Sequence, residues 1–143
     1  MVDYPVSFNA KVEAEESSKT WRLNTEENLE TEMSTPEEFG GDSENPSPED
    51  LFNASLASCM VATFKVTAQR KGLDYSNIEG KCETQLDRNE EGRPVMKRSK
   101  INIKVEGVFN KDLADEVAKI SEKNCFIHNS VETDVKTSFE FTE

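Results

Sequence analysis

The segment SPEDLFNASLASCMVATF, at positions 47–64, is apolar or small on nearly every side of the helix that it predicts. Ser47 is a good N-cap and Pro48 suits the first helical turn. Gly72 is a suitable terminating residue at the other end. A helix with no polar face must be covered by other elements, so this segment is predicted to be the centre of the fold.

Alternating apolar residues predict strands before and after this helix. The predicted strands are VSFNAKVE, KTWRLNT, NLETEMS, NIEGKCETQLDR, RPVMKRSKINIKVEGVF and TDVKTSFEF. Phe8 and Val12 share one face of the first predicted strand, and Leu86 lies on the same face as Cys82, which is expected to face inward. An amphipathic helix, NKDLADEVAKISEKN, begins after a cap at Asn110 and precedes the last strand. The order β-β-β-α-β-β-α-β indicates an α+β fold in one domain, residues 1–143.

The charge balance limits the classes of partner. The chain has 29 acidic and 17 basic residues and a formal charge of −12, so no nucleic acid and no anionic membrane is expected as a partner. The N-terminus has no signal-peptide pattern, and no apolar stretch approaches the roughly 20 residues that span a bilayer. We therefore expect a cytoplasmic protein with reduced thiols.

The chain has three cysteines, and their odd number leaves no complete set of disulfides within one chain. Cys82 lies on the inward phase of a strand and is predicted to be a small buried residue. Cys59 lies in the apolar helix. Either core packing or a reactive thiol would explain a cysteine at this position. Cys125 follows the second helix among polar neighbours, so less packing is expected of its thiol.

The only histidine, His128, follows Cys125 at a C-x-x-H spacing. A metal site needs three or four converging ligands, and no second pair lies nearby, so no metal site is predicted. A Cys-His nucleophile pair would need His128 to reach a cysteine and a third group to orient the imidazole. A partly exposed loop residue is the simpler interpretation of His128.

Three segments, in this order, resemble the OsmC/Ohr family of osmotically inducible and organic hydroperoxide resistance proteins. They are STPEEFGG at 34–41, NPSPEDLFNASLASC at 45–59 and NCFIHNS at 124–130. The predicted element order agrees too, so the resemblance covers nearly the whole chain. It implies a long buried central helix wrapped by antiparallel sheets in an intertwined homodimer. It also implies a hydroperoxide reductase that uses two cysteines.

The resemblance also implies roles for individual residues. Cys59 resembles the peroxidatic cysteine, Cys125 the resolving cysteine and Glu49 the active-site glutamate. The family uses an arginine from the N-terminal strands to polarise the thiolate, and Arg22 is the candidate here, with Lys19 as the alternative. The implied partners are an organic hydroperoxide and an external thiol reductant, and no cofactor (metal, haem or flavin) is required.

The spacing between Glu49 and Cys59 has a geometric consequence. On one unbroken helix, ten residues separate them by roughly 15 Å along the axis, too far for the carboxylate to touch the thiol. Either the helix breaks between them, or Glu49 serves a cysteine of another chain. We favour the second alternative, a homodimer with its sites at the interface.

The reactive form of Cys59 would be the thiolate, which burial disfavours and a nearby cation favours. The predicted function is therefore thiol-dependent reduction of organic hydroperoxides to alcohols, through a sulfenic acid on Cys59 that Cys125 resolves. Two alternatives remain open. One is a non-catalytic protein of the same fold that senses redox state or binds a small apolar ligand. The other is a Cys-His hydrolase.

Overall fold

A computed structural model describes all 143 residues, which divide into two compact units, residues 1–51 and 52–143. The first unit is a three-stranded antiparallel sheet in the order β1-β2-β3. Its strands are Ala10–Glu13 (β1), Thr20–Thr25 (β2) and Glu30–Ser34 (β3), and a short 3-10 turn, Glu37–Phe39, follows them.

The first strand differs from its prediction. Phe8 lies before β1 and is 91% exposed, and Val12 within β1 is exposed too. The face that these side chains were predicted to share is therefore exposed in this chain by itself. β1 is an edge strand that pairs only with β2, so the alternating pattern marks a face that nothing within this unit covers.

The long helix α1, Pro48–Lys71, begins at the end of the first unit and runs without a break into the second. Its predicted cap is confirmed: the Ser47 N–H donates to Asp50 Oδ2 (2.9 Å), and the Asp50 N–H donates to Ser47 Oγ (3.2 Å). These two reciprocal bonds form a capping box. Gly72 follows the helix with φ +74°, the left-handed conformation expected of a terminating glycine.

The second unit contains most of α1, the strands Asn77–Arg88 (β4), Pro94–Glu106 (β5) and Asp134–Thr142 (β6), and the helix Lys111–Asn124 (α2). The predicted order of strands and helices is confirmed. β4 and β5 form an antiparallel hairpin, whereas β6 pairs with β5 in parallel. The parallel pair differs from the antiparallel sheets that were expected. Parallel neighbours need a long crossover connection, and α2 supplies this connection between β5 and β6.

The position of Leu86 also differs from its prediction. It was expected on the inward face of β4, but it is 43% exposed. The register of β4 against β5 shifts between Gln85 and Leu86. An irregularity of this kind interrupts the alternation of side chains between the two faces, so the inward pattern that holds from Ile78 to Thr84 ends before Leu86.

The core of the second unit lies between one face of α1 and the sheet. Leu56, Met60, Phe64 and Ala68 recur every four residues along α1 and are fully buried. They belong to the same buried cluster as residues of β5 and α2, namely Ile101, Ile103, Val105, Ala114 and Val117. Gly80 permits a close approach of the helix, because a Cβ there would lie 2.9 Å from Val61 Cγ2.

The other faces of α1 are less covered. Only 22% of its most apolar 18-residue window is buried within this chain, and small residues such as Ala54, Ser58 and Ala62 are exposed. By length and composition alone α1 could cross a membrane, which corrects the expectation that no apolar segment is long enough. The central helix of a soluble protein meets the same test.

Replacing Phe64 tests this core. Its ring lies 5.8 Å from the rings of Tyr75 and Phe139 and 6.3 Å from that of Phe141, measured between centroids. We expect Phe64→Ala to lower the free energy of unfolding by about 3–5 kcal/mol, measured by urea denaturation, because it leaves a cavity among packed rings. The matched control is Phe109→Ala, at a side chain that is 80% exposed. We expect this variant to change the free energy of unfolding by no more than about 0.5 kcal/mol. Equal losses in both variants would contradict this description of the core.

Candidate functional site

Two cysteines that are far apart in sequence meet in the second unit. Cys59 lies in the middle of α1 and is partly buried, packed against the core cluster. Cys125 directly follows α2, is 0% exposed and belongs to that cluster. The two thiols lie beside each other, and Cys59 contributes through hydrogen bonding to a raised pKa of Cys125. The structure therefore brings together the two sulfur atoms that sequence analysis singled out.

The burial of Cys125 corrects an expectation. Its polar neighbours in the sequence suggested that its thiol has little packing to do, yet it is the most buried of the three cysteines. The reason is the periodicity of α2, whose buried positions recur every three or four residues: Ala114, Val117, Ala118 and Ser121. Cys125 is the next position of this stripe, a signal that the sequence contains.

The surroundings of Cys125 determine its protonation. Burial raises the pKa of this thiol to about 11, and the neighbouring Cys59 thiol adds to the increase. The peptide N–H groups of His128 and Ile127 act in the opposite direction by donating toward the sulfur. Burial has the larger effect, so the Cys125 thiol is protonated at neutral pH.

Cys125 also begins a helical turn. Its φ and ψ are −71° and 112°, and its carbonyl accepts the Asn129 N–H at 3.0 Å. The chain from Cys125 to Asn129 therefore forms one helical turn directly after α2.

Arg22 lies on β2 in the first unit, with its side chain 62% exposed. It pairs across the sheet with Glu13 on one side and Glu32 on the other, and its Nε lies 3.6 Å from Glu32 Oε1. Within this unit, the guanidinium therefore forms an ion pair with Glu32. Lys19, the alternative cation, is exposed beside β2. The assignment of either as the cation for Cys59 stays a prediction.

Glu49 lies in the first turn of α1. Its Oε2 atom is buried and has no hydrogen-bond partner. Because α1 is continuous, Glu49 precedes Cys59 by about 15 Å along the helix axis, and a break between them is ruled out. A buried carboxylate oxygen without a hydrogen-bond partner is energetically costly.

Cys82 was predicted to be a small buried residue; it is partly buried and packs against the core cluster, and polar side chains also contact it. Its Sγ donates to Asn53 Oδ1 at 3.4 Å, and the Thr84 hydroxyl contacts the same oxygen as well as Ser99 Oγ at 2.6 Å. Burial raises the pKa of Cys82, against the opposing effect of Thr84 and Ser99. Asn53 and Cys59 project from different faces of α1, so this cluster anchors α1 to the sheet away from the cysteine pair.

His128 begins a 3-10 turn, His128–Ser130, and its side chain is partly buried. Its Nδ1 atom is buried and has no hydrogen-bond partner. No group of three or more Cys, His, Asp or Glu side chains lies close enough together to hold a metal ion.

Comparisons with known proteins identify the family and the fold of this chain. A family model described as "OsmC-like protein" matches residues 40–140. The uncharacterized protein YmaD of Bacillus subtilis is 24% identical to this chain over 120 residues, which cover 79% of the chain and 78% of YmaD.

Solved structures share the fold along nearly the whole chain. An OsmC-like protein of unknown function from Vibrio cholerae superposes with a TM-score of 0.86 at 19% identity, covering 95% of this chain and 100% of the other. An organic hydroperoxide resistance protein OsmC from Legionella pneumophila gives a TM-score of 0.75 at 17% identity, covering 99% and 100%. At these identities the likeness establishes the fold.

The burial of Cys125 is testable by alkylation. At pH 8 we expect iodoacetamide to modify Cys125 at least roughly 100-fold more slowly in the reduced folded protein than in the urea-unfolded chain. A thiol with a pKa of about 11 is scarcely ionised at that pH, and this one is also inaccessible. Mass spectrometry of the peptide that contains Cys125 measures the rate. Similar rates in both states would contradict the described burial.

Proposed function

Because this chain belongs to the OsmC-like protein family, we propose that it is a thiol-dependent peroxidase that reduces organic hydroperoxides to alcohols. The observation that carries this proposal is the contact between Cys59 and Cys125. Neighbouring thiols can form a disulfide when their Cα atoms lie within about 7 Å of each other. The name of the Legionella pneumophila relative, an organic hydroperoxide resistance protein, supports the substrate class.

The proposed reaction uses the two sulfurs in sequence. The Cys59 thiolate attacks the distal oxygen of ROOH, the O–O bond breaks, and ROH leaves after taking up a proton. Cys59 is then a sulfenic acid. The Cys125 sulfur attacks the Cys59 sulfur, the S–O bond breaks, and water and a disulfide are formed. An external thiol reductant returns the pair to two thiols.

The difference in burial supports this division of roles. Cys59 is partly exposed, whereas Cys125 has no accessible surface from which to meet a peroxide. The thiolate is the nucleophile toward peroxides, and Cys125, with a pKa of about 11, is protonated at neutral pH. Cys59 is therefore the better candidate for the first step, and Cys125 for the second.

We also propose that the functional unit is a homodimer. Three features support it: α1 is continuous between Glu49 and Cys59, a Glu49 carboxylate oxygen is buried without a partner, and much of α1 is uncovered within one chain. A second copy would cover α1 and bring Glu49 and a cation, Arg22 or Lys19, to its cysteine pair. Within this proposal the protein is cytoplasmic and binds neither nucleic acid nor a membrane.

One observation favours a second candidate function. Arg22 is paired with Glu32 in its own sheet, which reduces its capacity to stabilise a thiolate. A protein whose Cys59 lacks a cation would oxidise slowly and serve as a redox sensor or as a binder of small apolar ligands. The two candidates differ in whether the oxidised protein turns over with a dithiol.

Counting thiols after one equivalent of cumene hydroperoxide tests the peroxidase. We expect reduced wild-type protein to lose two of its three thiols, and Cys59→Ser to consume no peroxide, because only Cys59 is both accessible and paired. Cys125→Ser should lose one thiol and accumulate a sulfenic acid that dimedone traps.

The matched control is Cys82→Ser, which removes the thiol of the separate polar cluster and should leave peroxide consumption unchanged. Loss of no thiol from the wild-type protein would overturn the peroxidase and leave the apolar-ligand binder and the Cys-His hydrolase, of which only the hydrolase would form an acyl adduct with an ester probe. Loss of two thiols without turnover on a dithiol would favour the sensor.

The homodimer is tested by sedimentation equilibrium of the reduced protein. We expect a mass of twice the 16.1 kDa monomer, because a single chain leaves so much of α1 uncovered. A monomeric mass in a sample with full peroxidase activity would contradict the proposal.

A further inference from the structure

Asn53 joins α1 to the sheet by hydrogen bonds. Its Oδ1 atom accepts the Cys82 S–H group at 3.4 Å and the Thr84 hydroxyl at 2.5 Å, and both donors lie on β4. The other hydroxyls of α1 donate to carbonyls of the helix itself, from Ser55 to Phe52, from Thr63 to Cys59 and from Thr67 to Thr63. Lys71 bonds Glu116, which belongs to α2. Asn53 therefore makes the only side-chain hydrogen bonds between α1 and the sheet.

The arrangement of donors requires an acceptor at position 53. The Thr84 hydroxyl donates to Asn53, so the Ser99 hydroxyl must donate to Thr84 across the 2.6 Å between their oxygens. An amide oxygen has two lone pairs, and the Oδ1 atom accepts one donor with each of them. Ser99 is buried, so a donor that lost its acceptor here would be left unpaired in a site that excludes water.

The rest of the contact between α1 and β4 is apolar and closely packed. A Cβ added to Gly80 would lie 2.9 Å from Val61 Cγ2 and 3.7 Å from the Ala57 carbonyl oxygen. Contacts between apolar surfaces are not directional, so they stabilise the helix on the sheet without fixing one position along it. A single hydrogen-bonded polar residue among apolar contacts is a known way to fix the register of a helix against its neighbour.

Cys59 lies between the two points at which α1 is held in a defined position. Phe64, five residues later, packs among the aromatic rings of Tyr75, Phe139 and Phe141. Asn53 lies six residues earlier, about 9 Å along the helix axis. A shift of one residue is a rotation of about 100° and a rise of about 1.5 Å, which would move Cys59 away from Cys125.

We propose that Asn53 is a positioning residue for the cysteine pair: its two hydrogen bonds fix α1 on β4 and thereby hold Cys59 beside Cys125. Asn53 acts through the continuous helix that carries both position 53 and position 59. This inference rests on the proposed function, because it takes the pair as the site of the reaction. Asn53 serves the step in which the Cys125 sulfur reaches the Cys59 sulfenic acid, and the attack on the peroxide does not need it.

A redox titration against dithiothreitol tests this assignment without any peroxide. Mass spectrometry of the alkylated peptides measures the fraction of Cys59–Cys125 disulfide, which gives the effective concentration of one thiol at the other. Asn53→Leu keeps a side chain branched at Cγ and removes the acceptor. We expect it to lower the effective concentration roughly 10-fold or more, because a small misplacement of reacting groups costs at least that factor.

Asn53→Asp is the conservative variant. Its carboxylate accepts both donors from the same position, and the Nδ2 atom that it lacks makes no hydrogen bond within the chain. We expect its effective concentration to stay within about threefold of wild type. The matched control, Ser55→Ala, removes a 2.8 Å hydrogen bond to the Phe52 carbonyl that does not reach the sheet. It should also stay within about threefold of wild type.

A wild-type effective concentration in Asn53→Leu, or a higher one, would overturn the positioning role. An equal loss in Asn53→Asp would overturn it too, because that variant retains the acceptor. Urea denaturation of the reduced variants shows whether each is folded. If Asn53→Leu does not fold, Thr84→Val takes its place, because it removes one donor and leaves Asn53 intact. An unchanged effective concentration in Thr84→Val then overturns the assignment.

Single-turnover kinetics keep this proposal separate from the peroxidase. After one equivalent of cumene hydroperoxide, Asn53→Leu should form the Cys59 sulfenic acid at the wild-type rate, measured by dimedone trapping. Its disulfide should form roughly 10-fold more slowly. A wild-type protein that consumes no peroxide, together with a lowered effective concentration in Asn53→Leu, overturns the peroxidase and supports the positioning role. A wild-type pair that forms no disulfide with either oxidant overturns both.

Discussion

The packing of α1 is the constraint on which the rest of the structure depends. A 24-residue helix without a continuous polar face has to be covered, and one face is covered within the chain by β5, α2 and β6. That contact places the middle of α1 against the end of α2. The meeting of Cys59 and Cys125 is thus a consequence of core packing, and the site is as stable as the core from which it is built.

The cysteine pair shows how burial distinguishes two chemically identical groups. Both are thiols, yet Cys125 is enclosed and protonated by desolvation, whereas Cys59 keeps access to the surface. Cys82 is held by Asn53 on another face of the helix. Under the proposed function, a chain with three thiols would direct oxidation to one pair, because position in the core decides which sulfur is accessible to a peroxide and which is enclosed beside it.

Several features were predictable because local physical chemistry decides them. The capping box of Ser47 and Asp50, the end of α1 at Gly72 and the cap of α2 at Asn110 all follow from short-range hydrogen bonding and backbone preference. The exposure of Leu86 and the parallel pairing of β6 were not predictable in this way. They depend on a register shift and on a crossover connection, which involve residues far apart in the chain.

The amino-acid sequence by itself determined the order of strands and helices, the caps of both helices and the family motifs that single out Cys59 and Cys125, because periodicity and spacing are local properties. Only the tertiary structure decided that Cys125 is the most buried thiol, that it lies against Cys59 and that the Nδ1 atom of His128 is buried without a partner. The physical reason is that desolvation and proximity depend on what the rest of the chain places around a side chain, and sequence neighbours do not reveal it.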